Sequence, residues 1–137
     1  MYVIDTNVLS ATRRPERAPQ VAAWLQGKPE TSLFLSAITL GEIERGIQQQ
    51  KRRDPGFTRD LQLWLDHTIL VFGDRILEFG AKDARIWGRL SAEIGHTGAD
   101  LMIAATALHH GATVVTRNVD DFAPIGVALE NPFETDA

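Results

Sequence analysis

The feature that most constrains this chain is the alternation of short apolar runs with longer segments of helical periodicity. Strands are predicted at Tyr2–Asp5, Leu33–Ser36, Ile69–Phe72 and Thr113–Thr116, with Val127–Leu129 as a short candidate fifth. Strands that alternate with helices favour a parallel sheet covered by helices on both faces. We therefore predict an α/β fold built on a central, mainly parallel sheet of four to five strands.

Helices are predicted for most of the chain between these strands. They cover Ala18–Gln26, Thr39–Gln50, Leu61–Asp66, Arg75–Ile94 and Asp100–His110. Gly27 and Gly111 stand where the first and the last of them end, as is typical of helix termini. The chain has 137 residues with no repeat or linker-like stretch, so residues 1–137 are predicted to form a single domain.

Composition excludes several classes of function. The chain has no cysteine, which excludes disulfides and thiol catalysis and fits a cytoplasmic location. Its four histidines show no ligand spacing, so a structural zinc site is not expected. We also expect no signal peptide and no membrane partner, because the longest uncharged stretch, residues 101–116, is too short to span a bilayer.

The charge of the chain is unevenly distributed. The net charge is −4, yet Arg13, Arg14 and Arg17 form one basic group, and residues 45–59 carry five basic residues against one acid. A basic run is either a solvated face or a surface for phosphates, and the sequence leaves both open. An acidic protein can bind phosphates when a metal ion bridges them to its carboxylates.

Acidic side chains fall where the carboxyl edge of the predicted sheet should lie. Asp5 ends the first strand, Glu42 lies in the first turn of the helix after the second strand, and Asp100 opens the helix before the fourth. Ligands of such folds bind beyond the carboxyl ends of the strands. Converging carboxylates repel one another by about 1–4 kcal/mol per pair at a partly exposed site. A hard divalent cation with oxygen ligands offsets that repulsion.

Each acid taken alone also has a purely structural explanation. Asp5 can cap the next helix, and Asp100 can complement the dipole of the helix that it opens. Glu42 stands three residues after Thr39, the spacing of a capping box, and three before Arg45, the spacing of a helical ion pair. A metal site is therefore indicated by the convergence of the acids and not by any one of them.

Four segments, in this order along the chain, resemble the motifs of PIN-domain nucleases. They are Val3–Leu9, with its Asp-Thr-Asn triplet, Ile38–Gly46, Asp100–Ala105 and Val115–Phe122. The likeness is greatest to the VapC toxins of bacterial toxin–antitoxin pairs, in their FitB-like branch. It spans nearly the whole chain and implies a PIN-like α/β/α sandwich with metal-dependent ribonuclease activity. The metal that it implies is Mg²⁺, with Mn²⁺ as a substitute.

Carried over by position, the resemblance implies the residues of the site. Asp5, Glu42 and Asp100 match the metal-binding, catalytic acids of the family. Asp121 matches the acid that precedes the family's phenylalanine, and is the implied fourth acid. Thr6 is implied as a hydroxyl that supports the site.

The turn after the fourth predicted strand contains several candidates for the remaining metal ligand. Asn118, two residues after Thr116, stands where family members often carry an acid, and is a candidate weaker metal ligand. Thr116 is implied as the second supporting hydroxyl. Asp120 and Asp121 follow in the same turn, and the residues alone do not decide which of these side chains completes the site.

The resemblance also implies partners. RNA is the implied substrate, cleaved at its phosphodiester bonds by water that the metal activates. The implied protein partner is a small VapB- or FitA-like antitoxin with a DNA-binding N-terminus, and the toxin is expected to form a homodimer.

Two other functions stay open from the sequence. A phosphoacceptor or phosphatase domain also places acids at strand ends, but it uses a lysine beside them, and none of Lys28, Lys51 and Lys82 follows a predicted strand. A PIN-like module that binds RNA or a protein without cutting is the second alternative. Turnover of RNA by the pure protein separates that module from an enzyme.

The histidines and tryptophans are predicted to be structural. His109 and His110 stand at the end of a predicted helix, where we expect them to complement the helix dipole rather than act as general bases. The tryptophans at positions 24, 64 and 87 fall in amphipathic patterns. We expect them to pack in the core or an interface rather than stack on bases.

Overall fold

The computed structural model describes residues 1–134. Five strands form one sheet in the order β3-β2-β1-β4-β5, and every pairing is parallel. The strands are β1 (Tyr2–Ile4), β2 (Leu33–Ser36), β3 (Ile76–Leu77), β4 (Thr113–Val115) and β5 (Leu129–Glu130). The predicted α/β fold with a central parallel sheet is thus confirmed.

The helices fill the connections between the strands. They are α1 (Thr6–Ala11), α2 (Pro19–Gln26), α3 (Ala37–Gln50), α4 (Pro55–Phe72), α5 (Ala81–Ile94), α6 (Ala99–His110) and α7 (Val119–Phe122). Local sequence sets their ends: the Ser36 hydroxyl accepts the N–H of Ile38 at 3.1 Å at the start of α3. Gly111, with φ of 63°, ends α6 in the left-handed conformation that glycine adopts without strain.

The strand predicted at Ile69–Phe72 is wrong, because those residues form the last turn of α4. The apolar run suggested a buried strand, yet Leu70 is 80% exposed while Leu65 and Thr68 turn inward with helical spacing. Gly73, with φ of 52°, ends the helix. The third strand follows at Ile76–Leu77, inside the helix predicted from Arg75, and two residues are too short to show periodicity.

Two smaller boundaries also differ from the prediction. Helix α4 begins at Pro55 rather than Leu61, since the Asp54 carboxylate accepts the N–H of Phe57 at 3.1 Å and so caps the helix. The fifth strand is Leu129–Glu130 rather than Val127–Leu129. Neither difference moves the acids that concern the site.

The core lies on both faces of the sheet. Successive residues of a strand point to opposite faces, so Ile4 packs with the buried side chains of α1 to α4, while Val3 packs with α6 and α7. Helix α6 presents small side chains there, with Ala104 and Ala107 fully buried. Trp24 and Trp64 pack against the first of these clusters, as predicted. The result is the helix–sheet–helix sandwich that the motifs implied.

The topology places three strand ends side by side. Strand β1 lies between β2 and β4, and the N–H of Asp5 donates to the Val115 carbonyl at 2.9 Å across the end of that pair. The residues that leave β1, β2 and β4 therefore share one edge of the sheet.

Among the helices of residues 1–134, none has both the length and the apolar character needed to cross a membrane.

Candidate active site

Asp5 is the first residue beyond β1 and is held by three donors. Its carboxylate accepts hydrogen bonds from the Thr6 N–H at 2.8 Å, the Thr116 hydroxyl at 2.7 Å and the Asn7 amide at 3.1 Å. The first of these is the helix cap that the sequence allowed. The second crosses from the end of β4, and Asp5 is only 6% exposed. A helix cap requires neither a hydrogen bond from the end of β4 nor burial of the carboxylate. The surroundings of Asp5 therefore indicate a role beyond capping α1.

Asn7 links the end of β1 to the turn after β4. Its amide donates to Asp5 and, at 3.3 Å, to the Thr116 hydroxyl, while its Oδ1 accepts the N–H of Arg117 at 3.1 Å. The Thr116 hydroxyl in turn accepts the N–H of Asn118 at 2.9 Å. Thr116 was predicted as a supporting hydroxyl, but Asn7 was missed. The available signal was its position two residues after Asp5, within the same motif.

Glu42 lies in the second turn of α3 rather than the first. Helix α3 begins at Ala37, so Thr39 is a buried residue within the helix and not its N-cap. The capping box suggested by the spacing of Thr39 and Glu42 is therefore wrong. Within residues 1–134, Glu42 forms no ion pair with Arg45 either. Its Oε1 instead accepts the Thr6 hydroxyl at 2.7 Å. Thr6 therefore holds the carboxylate of Glu42 much as Thr116 holds that of Asp5.

Asp100 is the second residue of α6 and lies against a glycine. Its Oδ1 accepts the N–H of Leu101 at 3.0 Å. A Cβ atom on Gly98 would lie 2.7 Å from that same oxygen, closer than real Cβ contacts come. Gly98 thus leaves the space that the carboxylate occupies. No sequence motif predicted this role for Gly98.

These side chains line one cleft of about 410 Å³, which we call the acid cleft. It is lined by Asp5, Thr6, Asn7, Glu42, Ala99, Asp100, Ile103, Asn118, Asp121 and Phe122. Four of these residues are acids and none is basic. The structure therefore brings together every acid that the motifs singled out, together with Asn118. Asp120 is exposed and is not part of the lining.

The electrostatics of the acid cleft penalise charge on Asp5. Burial raises the pKa of Asp5 above its ordinary value of 3.8, and the charge of Asp100 raises it further. The hydrogen bonds from Thr116, Thr6 and Asn7 lower the pKa but do not cancel the effect of burial. A bound cation would remove this penalty, because it favours the charged form of each carboxylate.

The donor chemistry of the cleft fits a hard divalent cation. All candidate ligands offer oxygen, from carboxylates and from the amide of Asn118, which is the set that Mg²⁺ and Mn²⁺ prefer. Within residues 1–134, no three of these acids each bring a carboxylate oxygen to within 4.8 Å of the others. Such spacing suits Mg²⁺, which takes few protein carboxylates and keeps several waters.

A tighter group of potential ligands lies elsewhere, at Asp83, His109 and His110. His109 follows Asp100 by nine residues of α6, about 14 Å along the helix. The Asp83 carboxylate is already engaged by the Gly80 N–H and by His109 Nδ1, each at 2.8 Å. We interpret the hydrogen bond between Asp83 and His109 as a link between α5 and α6. His109 was predicted only to complement the helix dipole, so this partner was not expected.

The fold and the acid cleft define a class of protein: a helix–sheet–helix sandwich whose parallel sheet ends at a cleft lined by carboxylates. The family model of the PIN domain matches residues 2–127. The chain therefore belongs to the PIN-domain family, as its motifs predicted.

Individual relatives place the chain more narrowly. It is 34% identical to toxin FitB of Neisseria gonorrhoeae over 97% of this chain and 99% of the relative. It is 41% identical to ribonuclease VapC14 of Mycobacterium tuberculosis over 70% of this chain and 90% of the relative. The structure of FitAB bound to an IR36 DNA fragment is similar with a TM-score of 0.85 and 33% identity, over 100% and 99% of the two chains. The chain belongs with the VapC toxins, in their FitB-like branch.

Proposed function

We propose that this protein is a metal-dependent endoribonuclease and the toxin of a VapBC-type toxin–antitoxin pair. The observation that carries the proposal is a cleft lined by four acids and no base, in a PIN fold. Relatives named as ribonucleases support cleavage of RNA as the reaction.

The chain's own residues divide the work of the site. Asp5, Glu42, Asp100 and Asp121 would hold the cation directly or through its bound waters, with the Asn118 carbonyl as a weaker ligand. Thr6 and Thr116 donate to the carboxylates and so fix their orientation. No histidine or lysine lines the cleft, so its lining offers no imidazole or amine as a general base. When bound, the divalent cation supplies Lewis-acid chemistry, which activates water and neutralises charge on the phosphate oxygens.

The proposed protein partner is a small antitoxin with a DNA-binding N-terminus. Similar structures are described as FitAB and VapBC complexes with DNA, and this chain is expected to act within such an assembly and to form a homodimer. An antitoxin arginine can pair with the acids of the cleft through charge-assisted hydrogen bonds. Helix α4 also leaves Leu63 and Leu70 exposed by 62% and 80%, as surfaces that bind protein partners often do.

The phosphoacceptor alternative gains no support from the structure, because no lysine lines the acid cleft. The module that binds without cutting is tested by activity. The purified chain should cleave RNA with Mg²⁺ and lose activity in excess EDTA. Asp100→Asn keeps the acceptor for the Leu101 N–H but removes a charge, and should lower cleavage about 100-fold or more.

Asp74→Asn is the matched control, since it makes the same change at an exposed residue outside the cleft. It should cleave RNA like the wild type. Full activity in EDTA, or in Asp100→Asn, would overturn the proposed site. RNA binding without any cleavage under Mg²⁺ or Mn²⁺ would favour the binding module.

A further inference from the structure

A second cleft, also of about 410 Å³, adjoins the acid cleft and has the opposite charge. We call it the arginine pocket and define it by Arg13, Arg14, Arg17, Arg117, Phe57 and Phe133. Asn7 lines both clefts, so they share a wall. The proposed catalytic site therefore has four arginines directly beside four acids.

No acid of residues 1–134 forms an ion pair with an arginine of the pocket. The ion pairs within residues 1–134 join Arg75 to Glu30 and His109 to Asp83, and neither involves the pocket. Burial, and then the charge of Arg14, lower the pKa of Arg13, and the opposing effect of Asp60 is smaller. Because like charges in one cleft repel, the pocket favours an anion that neutralises them.

Aromatic rings hold two of the guanidinium groups in place. The guanidinium carbon of Arg117 lies 3.8 Å from the centre of the Phe133 ring, and that of Arg13 lies 5.3 Å from the centre of the Phe57 ring. A guanidinium stacked by its face keeps the N–H groups of its edge for a partner, and their fork matches the oxygens of a phosphate. Aromatic rings beside arginines are also typical of surfaces that bind single-stranded nucleic acid.

We propose that the arginine pocket binds phosphates of the RNA strand next to the bond that is cleaved. The proposal rests on the proposed function, because it takes the acid cleft as the place of cleavage. The N–H of Arg117 donates to Asn7 Oδ1 at 3.1 Å, and the next residue, Asn118, lines the acid cleft. A strand that enters the acid cleft therefore passes Asn7 and meets the arginines.

An acidic segment of a protein partner is the competing occupant, since carboxylates also pair with arginine. RNA is favoured by the position of the pocket. A protein with a net charge of −4 and an acidic cleft repels a polyanion, and positive charge beside the cleft offsets that repulsion where the strand must bind. The pocket thus supplies what the acid cleft lacks as a site for RNA.

The test uses the double variant Arg14→Gln/Arg17→Gln, which removes two exposed arginines of the pocket and none of the acids. The matched control is Arg85→Gln/Arg89→Gln, with the same charge change at two exposed residues of α5. Arg14→Lys/Arg17→Lys keeps the charge but removes the planar fork. Two readouts are measured: cleavage kinetics with Mg²⁺, and metal-free binding of a fluorescein-labelled single-stranded RNA by fluorescence anisotropy.

In the Gln double variant, KM for RNA and the Kd for labelled RNA should rise about tenfold or more, with kcat within about twofold of the wild type. The salt dependence of log Kd should flatten by about 0.7 per lost phosphate contact. The Lys double variant should fall in between, and the control should match the wild type.

Unchanged Kd and salt dependence in the Gln double variant overturn the proposal. If its RNA affinity is unchanged but antitoxin affinity falls, the pocket binds the protein partner and the proposal is likewise overturned. A last outcome separates the two proposals. If neither the wild type nor any variant cleaves RNA, the proposed catalytic function fails. If the Gln double variant alone then loses RNA binding, the arginine pocket remains the RNA-binding site.

Discussion

At the scale of single residues, Gly98 gives the sharpest prediction. Its backbone, with φ of −62° and ψ of 160°, accepts any residue, so Gly98→Ala should fold normally. The added Cβ would lie 2.7 Å from Asp100 Oδ1 and must displace that carboxylate. We expect metal affinity to fall about tenfold, which is about 1.4 kcal/mol, measured by Mn²⁺ titration.

The matched control is Gly88→Ala, in the interior of α5, where a Cβ meets no atom within 4 Å. Its Mn²⁺ affinity should equal that of the wild type, and its free energy of unfolding should rise by up to about 1 kcal/mol. If Gly98→Ala also binds Mn²⁺ like the wild type, Asp100 is not held against Gly98 in the way described.

The pKa of Asp5 carries a second prediction at this scale. Because burial and then the charge of Asp100 raise it, ionised Asp5 is disfavoured in the metal-free fold. Metal-free stability should therefore fall as the pH rises through this pKa, while metal affinity should fall as the pH drops through it. In Asp100→Asn the Asp5 pKa, followed by carbon-13 NMR of its carboxyl group, should be lower. An unchanged or higher value would show that the two acids do not interact.

The sequence alone predicted which acids line the cleft better than it predicted the residues that hold them. Asp5, Glu42 and Asp100 stand out because they converge at the carboxyl edge of the predicted sheet and fall in motifs of the right order, although each acid alone has a structural explanation. Asn7 and Gly98 act through contacts with residues distant in the chain or through an absent side chain. The motif around Asp5 contains Asn7 but does not reveal its contacts with the turn after β4, and the space left by Gly98 has no sequence pattern.

At the scale of elements, the turn that forms α7 decides which side chain completes the site. Asn118 and Asp121 line the acid cleft and Asp120 does not, and buried Phe122 anchors the turn. A carboxylate is the better ligand for a hard cation than an amide. We therefore predict that Asp121→Asn costs more activity than Asn118→Ala, which costs more than Asp120→Asn.

All three of these variants should cost less activity than Asp5→Asn, which alters the most buried acid of the cleft. The measurement is the Mg²⁺ dependence of RNA cleavage for the four variants side by side. A raised Mg²⁺ requirement in Asp120→Asn, together with a normal one in Asp121→Asn, would reverse the assignment of the turn.

The elements that sequence patterns missed are those with weak local signals. The last turn of α4 has apolar side chains on its exposed face as well as on its buried face. Its four consecutive apolar residues, 69–72, therefore resemble a strand in the sequence. The real third strand has two residues and is defined only by its pairing with Leu35 and Ser36. Local periodicity cannot reveal an element of that length, whose stability comes from its neighbours in the sheet.

At the scale of the whole molecule, the topology explains how distant acids meet. Strands β2, β1 and β4 are adjacent and parallel, so Asp5 and the turn after β4 share one edge. Asp100 reaches the same edge because α6 runs back along the sheet before β4, which puts the N-terminus of α6 at the carboxyl edge. The direction of that helix depends on the crossover and could not be derived from the residues near Asp100.

The most direct test of the account is the location of a bound divalent ion. Crystals soaked in Mn²⁺ can be examined by anomalous diffraction, which marks the position of the metal. We expect a peak in the acid cleft, between the carboxylates of Asp5 and Asp100, that disappears in Asp5→Asn. An empty acid cleft at saturating Mn²⁺, or a peak at Asp83, His109 and His110 alone, would contradict it.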